Sequence, residues 1–161
     1  MPSSLPKGYS YVAANNQHIE IVKSIIFGVL EEYGLIPGDP ELDDDLNDLE
    51  YYYKDGYFGL IINDLGGFVG TFALYKIDEN TAEIRKMYLL KSSRGKGIGK
   101  WMLAFLMEKA KELGFEKVQL HTASPLIEAI NLYKSNGFKE MFSPKSGPRC
   151  DKAFYKMLKF G

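Results

Sequence analysis

The chain has 161 residues, 45% of them hydrophobic and 25% charged, a length and balance that fit one globular domain spanning 1–161 and exclude a disordered tract. Its formal net charge of -1 gives no bulk attraction to nucleic acid or to an anionic membrane surface. A single cysteine, Cys150, cannot form an internal disulfide, no run is long and apolar enough to span a bilayer, and the N-terminal residues lack the apolar stretch of a signal peptide, so the expected location is cytoplasmic.

Tyr9 to Ala14 has the β-prone composition of a first strand. Ile19, Val22, Ile25, Ile26, Val29 and Leu30 then recur at helical spacing, with Gly34 as the stop. The segment from Asp39 to Asp48 is acidic, and Leu42, Leu46 and Leu49 give it a narrow apolar face on a short helix. Tyr57–Asn63, Phe68–Ile77 and Thr81–Leu90 read as three strands joined by turns, an antiparallel meander.

The pattern changes at Ser92, where a glycine-rich loop runs to Gly99. The helix after it presents Ile98, Trp101, Met102, Phe105, Leu106 and Leu113 on one face and ends at Gly114. Lys117–Thr122 follows as a strand parallel to Thr81–Leu90, because a helix crosses over between them. Ser124 is the expected N-cap of a further helix, with Pro125 in its first turn and Gly137 as its cap. Short strands at Lys139–Phe142 and Cys150–Leu158 complete the sheet.

The loop Arg94-Gly95-Lys96-Gly97-Ile98-Gly99 opening a helix is suited to anions. Glycines let the backbone approach closely, and a helix N-terminus presents unpaired N–H groups. Neither the dinucleotide fingerprint nor the P-loop fits: the sixth position from Gly95 is Lys100 rather than glycine, and Gly95 and Gly99 stand one residue too close. Taken alone, the loop is equally readable as a simple connection.

Its surroundings are more specific. Arg94-x-x-Gly97-x-Gly99, Glu83-Ile84-Arg85-Lys86-Met87-Tyr88-Leu89 before it, and Ala129-Ile130-Asn131-Leu132-Tyr133 with Gly137-Phe138 after it resemble, in order and spacing, the signature of the GNAT N-acetyltransferase superfamily. The resemblance is strong from Thr81 to Glu140. It implies an α/β (α+β) fold, a mixed and twisted sheet of six to seven strands flanked by helices. Acetyl-CoA would lie between two splayed parallel strands, here Thr81–Leu90 and Lys117–Thr122. The implied cofactor-binding residues are Met87, Tyr88 and Leu89 on the strand, and Arg94, Gly95, Lys96, Gly97, Ile98, Gly99 and Lys100 in the loop, acting mainly through main chain. One departure stands at Leu126, where many relatives carry an asparagine that helps hold the pantetheine.

The resemblance also implies roles for two side chains. Tyr133 aligns with the family's general acid, which protonates the departing thiolate; on helical spacing alone, with Leu126 and Ile130, it reads as a core tyrosine. Glu83 matches a glutamate that in some members takes the amine proton directly or through water; a solvated or lysine-paired carboxylate is the plain alternative. Leu89 would offer its N–H to the thioester carbonyl. His121 on the neighbouring strand reads as a structural histidine, Cys150 as a strand residue, and Arg149 with Asp151 as a pair near the acceptor end. No cluster has metal-ligand spacing, so no metal is expected.

The expected function is therefore N-acetyltransfer from acetyl-CoA to a small-molecule or peptide primary amine, by direct attack in a ternary complex. No nucleic-acid or membrane partner is expected, and a homodimer is expected only by analogy with the family. A non-catalytic acyl-CoA-binding module and a transferase using a longer acyl-CoA are the competing readings. The carboxylates from Asp39 to Glu50 would attract a cationic acceptor; a solvated acidic face is the plainer reading of such a run.

Overall fold

The computed structural model describes residues 4–143 and 147–158. The strands are β1 (Ser10–Ala13), β2 (Tyr57–Ile62), β3 (Phe68–Lys76), β4 (Thr81–Leu89), β5 (Lys117–Thr122), β6 (Lys139–Met141) and β7 (Lys152–Met157). The helices are α1 (Ile19–Glu32), α2 (Pro40–Asp43), α3 (Leu49–Tyr52), α4 (Ile98–Glu112) and α5 (Ile127–Ser135). The strands form one seven-stranded sheet in the order β1-β2-β3-β4-β5-β7-β6. Only β4 and β5 run parallel, and the remaining pairings are antiparallel. The mixed α/β architecture expected from the sequence is the one observed.

Successive strand residues face opposite sides of the sheet, so each side collects its own core. On one side, Phe72, Leu74, Ile84, Val118, Leu120 and Phe154 pack under α4 and α5. On the other, Leu60, Phe58 and Ala73 meet Val22, Ile26 and Leu30 of α1, and Leu46 and Leu49 of the acidic segment. Leu46 and Leu49 are thus core residues, as the spacing predicts, while Leu42 is only half-buried.

Two helix boundaries differ from the sequence reading. Leu113 is 47% exposed: α4 stops at Glu112, Leu113 is its cap, and Ala110 is the last core residue of the helix. α5 begins at Ile127, not at Pro125, and Leu126 at its cap makes no side-chain hydrogen bond. Ser124 does not cap it. Its N–H and its hydroxyl donate instead to the two carboxylate oxygens of Asp151, each at 2.8 Å. Asp151 is thus engaged with Ser124, and Arg149 with Asp43. Cys150 lies before β7 rather than in it.

The feature that shapes the site is in β4. Against β3, Arg85 faces Ala73 and Tyr88 faces Thr71, so Lys86 and Met87 together oppose one residue. This is a β-bulge. Lys86 takes φ 54°, the left-handed region that a side chain rarely adopts. Three contacts hold it there. Its carbonyl accepts from the Thr71 hydroxyl at 2.6 Å, and its Nζ donates to the Leu42 carbonyl at 2.6 Å and to Asp43 Oδ1 at 2.8 Å. The bulge swings the end of β4 away from β5. Pairing of the two strands stops at Ile84 and Leu120, although both strands continue.

Candidate active site

The cleft opened by this splay measures about 280 Å³. Met87, Tyr88 and Leu89 form its β4 wall, Val29 and Tyr33 of α1 one flank, and Leu126, Ala129 and Leu132 the other. The glycine loop closes its end with Arg94, Gly95, Gly97, Ile98, Gly99 and Lys100. Nine of the ten expected cofactor residues therefore surround one space. Lys96 does not. It is exposed, and its Nζ lies 5.8 Å from the centre of the Tyr9 ring.

The loop needs glycine for its backbone, not for room. Gly95 and Gly97 have φ of +76° and +86°, and nothing would lie within 4 Å of a Cβ at either. Gly97 caps α4 in the left-handed conformation, so the first-turn N–H groups, which have no intrahelical acceptor, are aimed into the cleft mouth. Gly97→Ala should cost about 1 kcal/mol of backbone strain. The expected result is a small loss in Tm beside a larger loss of acetyl-CoA affinity in calorimetry. Equal affinity in variant and parent would show that this conformation is not needed for binding.

Arg94 has a structural task. Its Nε and Nη2 donate to the Leu89 carbonyl at 3.0 and 2.9 Å, and its Nη2 also reaches Glu32 Oε1 at 2.8 Å. The loop is thereby tied to the end of β4 and to α1. The same hydrogen bonds hold the Glu32 carboxyl below its usual range. The sequence carried no signal for Glu32, because the pairing spans 62 residues.

A smaller cavity of about 50 Å³ adjoins the cleft and shares Met87, Tyr88, Leu126 and Ala129 with it. Tyr133 lines this space. The tyrosine is 4% exposed and rests against Phe138 and Phe154. Burial, with the nearby Tyr88 hydroxyl, pushes its phenol far above the ordinary value, so it is neutral through the working pH range. A third cavity of about 100 Å³ continues outward and shares Ile84, Arg85, Lys86, Tyr88, His121 and Arg149 with the second. Glu83 lines only this outer one. Glu83 and Tyr133 thus line adjacent cavities with shared wall residues, not one chamber.

Glu83 is 3% exposed. Its Oε1 accepts from Arg85 Nε and its Oε2 from Gln119 Nε2, both at 2.9 Å. It is not a solvated carboxylate, and its partners among the described residues include Arg85 and Gln119. His121 Nε2 stands 3.9 Å from Glu83 Oε2.

The acidic segment is solvated over most of its carboxylates, with two of them turned into the fold. Asp43 accepts from both Arg149 guanidinium nitrogens, from Lys86 and from the Gly38 N–H, each at 2.8 Å. Burial by itself would raise the Asp43 carboxyl, but Arg149 and Lys86 hold it well below the usual range. Asp45 is buried against the Tyr53 hydroxyl, and Asp39 and Asp48 cap α2 and α3. Asp43 and Asp45 are therefore engaged inside the fold, while Asp39, Glu41, Asp44 and Glu50 stay exposed. Among the described residues, no group of three or more His, Cys, Asp or Glu side chains could hold a metal ion. Among the same residues, no helix is long and apolar enough to cross a membrane.

The sequence pattern of the acetyltransferase (GNAT) family matches residues 26–138. The chain belongs to that family. Its relatives include an Escherichia coli (strain K12) protein named uncharacterized N-acetyltransferase YjgM, 31% identical over 118 residues, or 71% of this chain and 69% of that protein. A GNAT acetyltransferase from Staphylococcus aureus has the same fold with a TM-score of 0.84 at 27% identity, covering 94% of this chain and 99% of its own. A Vibrio cholerae spermidine N-acetyltransferase, crystallised with CoA and spermine, shares the fold at 15% identity with a TM-score of 0.69, covering 94% and 96%. The GNAT chain described here is accordingly an acyltransferase.

Proposed function

We propose that this domain transfers the acetyl group of acetyl-CoA to a primary amine, with both substrates bound at once. The observation that supports this most is the row of adjoining cavities: a basic glycine loop at one end, a buried neutral phenol in the middle, and a buried carboxylate at the outer end. Two substrates entering from opposite ends would meet at Tyr133, and no covalent enzyme intermediate is required. The Vibrio cholerae neighbour binds CoA and spermine together, which agrees with such a geometry.

In this reading the loop N–H groups from Gly95 to Lys100 take the pyrophosphate, with the α4 dipole and the exposed Lys100 adding positive potential. The Leu89 N–H polarises the thioester carbonyl, where charge develops in the tetrahedral adduct. Tyr133 donates its proton to the departing thiolate. Leu126, in place of the familiar asparagine, offers the pantetheine an apolar contact on the cleft wall. Glu83 supports removal of the acceptor's proton from the far end of the row.

Release of free CoA thiol from acetyl-CoA, measured against a broad panel of amines that includes spermine, tests the proposal. Amine-dependent release is the expected result, and the preferred amine names the acceptor class. Acetyl-CoA binding with no release above background for any amine would favour a non-catalytic acyl-CoA-binding module instead.

A further inference from the structure

Each Glu83 oxygen accepts a hydrogen bond, one from a guanidinium and one from an amide. Those donors fix the carboxylate's orientation at the outer cavity, the only one of the three that it lines. His121 is better placed. It is the first β5 residue beyond the last β4–β5 pair, so it stands at the fork of the splay. It borders both the Tyr133 chamber and the Glu83 chamber, which Glu83 itself does not.

We propose that His121 is the base that takes the proton from the acceptor ammonium, and that Glu83 is a positioning residue acting through it. The inference rests on the transferase reading above. The ammonium N–H bond breaks and its proton passes to His121 Nε2. The freed lone pair forms the N–C bond at the thioester carbonyl, the C–S electrons leave on sulfur, and Tyr133 supplies the proton that makes the thiol. The phenolate then takes the surplus N–H proton of the new amide, and the imidazolium returns its proton to solvent.

The charges around the imidazole suit this cycle. From β4 it meets Glu83, Arg85, Lys86 and Tyr88. Tyr133 faces it from α5, Glu41 from α2, and Arg149 and Cys150 from the segment before β7. Among the described residues Arg85 is paired with Glu83, Arg149 with Asp43, and Lys86 with both Asp43 and Asp45. The imidazolium forms 3.9 Å from the Glu83 carboxylate, whose charge favours it. That distance is too long for a hydrogen bond, so Glu83 acts on the imidazolium through its charge.

The test is the pH dependence of kcat/KM for His121→Gln and Glu83→Gln, using the panel amine that reacts fastest. A variant without its base can use only amine that is already neutral. His121→Gln should therefore lose about a hundredfold near pH 7, and the deficit should shrink about tenfold per pH unit as the amine itself deprotonates. Glu83→Gln should keep more activity, and its acid limb should move to lower pH, because the imidazolium loses its stabilising charge. Acetyl-CoA binding by each variant reports whether it is folded. A His121→Gln loss equal at every pH, or activity within about threefold of the parent, overturns the proposal, and so does a Glu83→Gln acid limb that does not move. A parent protein inert toward every amine would overturn the transferase reading and this inference together; an active parent with an unaffected His121→Gln variant overturns this one alone.

Discussion

Tyr133→Phe is expected to lower kcat about a thousandfold while leaving acetyl-CoA affinity nearly unchanged. The substitution removes one oxygen from a ring that stays packed against Phe138 and Phe154, so the helix and the cleft wall persist. What the proposed mechanism loses is its donor for the departing thiolate. Because burial drives the phenol upward, its ionisation adds no falling limb near its ordinary value; the parent enzyme should stay active on the alkaline side until another group titrates. A raised phenol is also a weaker acid, so proton transfer must accompany C–S cleavage rather than precede it. Measured kcat within about threefold of the parent would leave Tyr133 with only a packing role.

Asp43→Asn is expected to produce the largest loss of stability, about 3 kcal/mol, equivalent to a fall in Tm of roughly 10 °C. Asp43 has a 5% exposed side chain and joins α2, the β4 bulge and the segment before β7 through Lys86 and Arg149. An amide cannot compensate two buried cations. The pH sign follows from the depressed carboxyl. The folded value lies below the unfolded one, so this stabilisation is complete above about pH 4 and is lost as pH falls toward the folded value. Asp43→Asn should therefore flatten the acid part of the stability curve as well as lower its plateau. Denaturant unfolding from pH 7 down to pH 3 reads both effects. A double variant with Arg149→Met should lose less than the sum of its parts, since the two side chains share one network. A plateau unchanged in the single variant would mean that Lys86 and Arg149 find other partners.

Much of the site was legible in order along the chain. The loop glycines announce their positive φ by composition, the apolar spacing of α4 marks its buried face, and the crossover helix requires β4 and β5 to be parallel. A signal for the bulge was also present. The apolar residues of β4 run Ala82 and Ile84, then Met87 and Leu89, a slip from even to odd positions, and all four pack on the same core. A strand that keeps one face inward across such a slip must carry an extra residue.

The residue periodicity, the glycine placement and the motif order thus determine the fold class and the cofactor end of the site, because those depend on local backbone preference and on which face of an element is apolar. Tertiary structure alone decides the acceptor end. Asp43 finds Arg149 across 106 residues and Glu83 finds Gln119 across 36, and polar pairing over such separations leaves no periodic trace. A carboxylate reads the same in a sequence whether it faces solvent or a buried guanidinium; its chemistry depends on burial and on its partners, and only the folded chain supplies both.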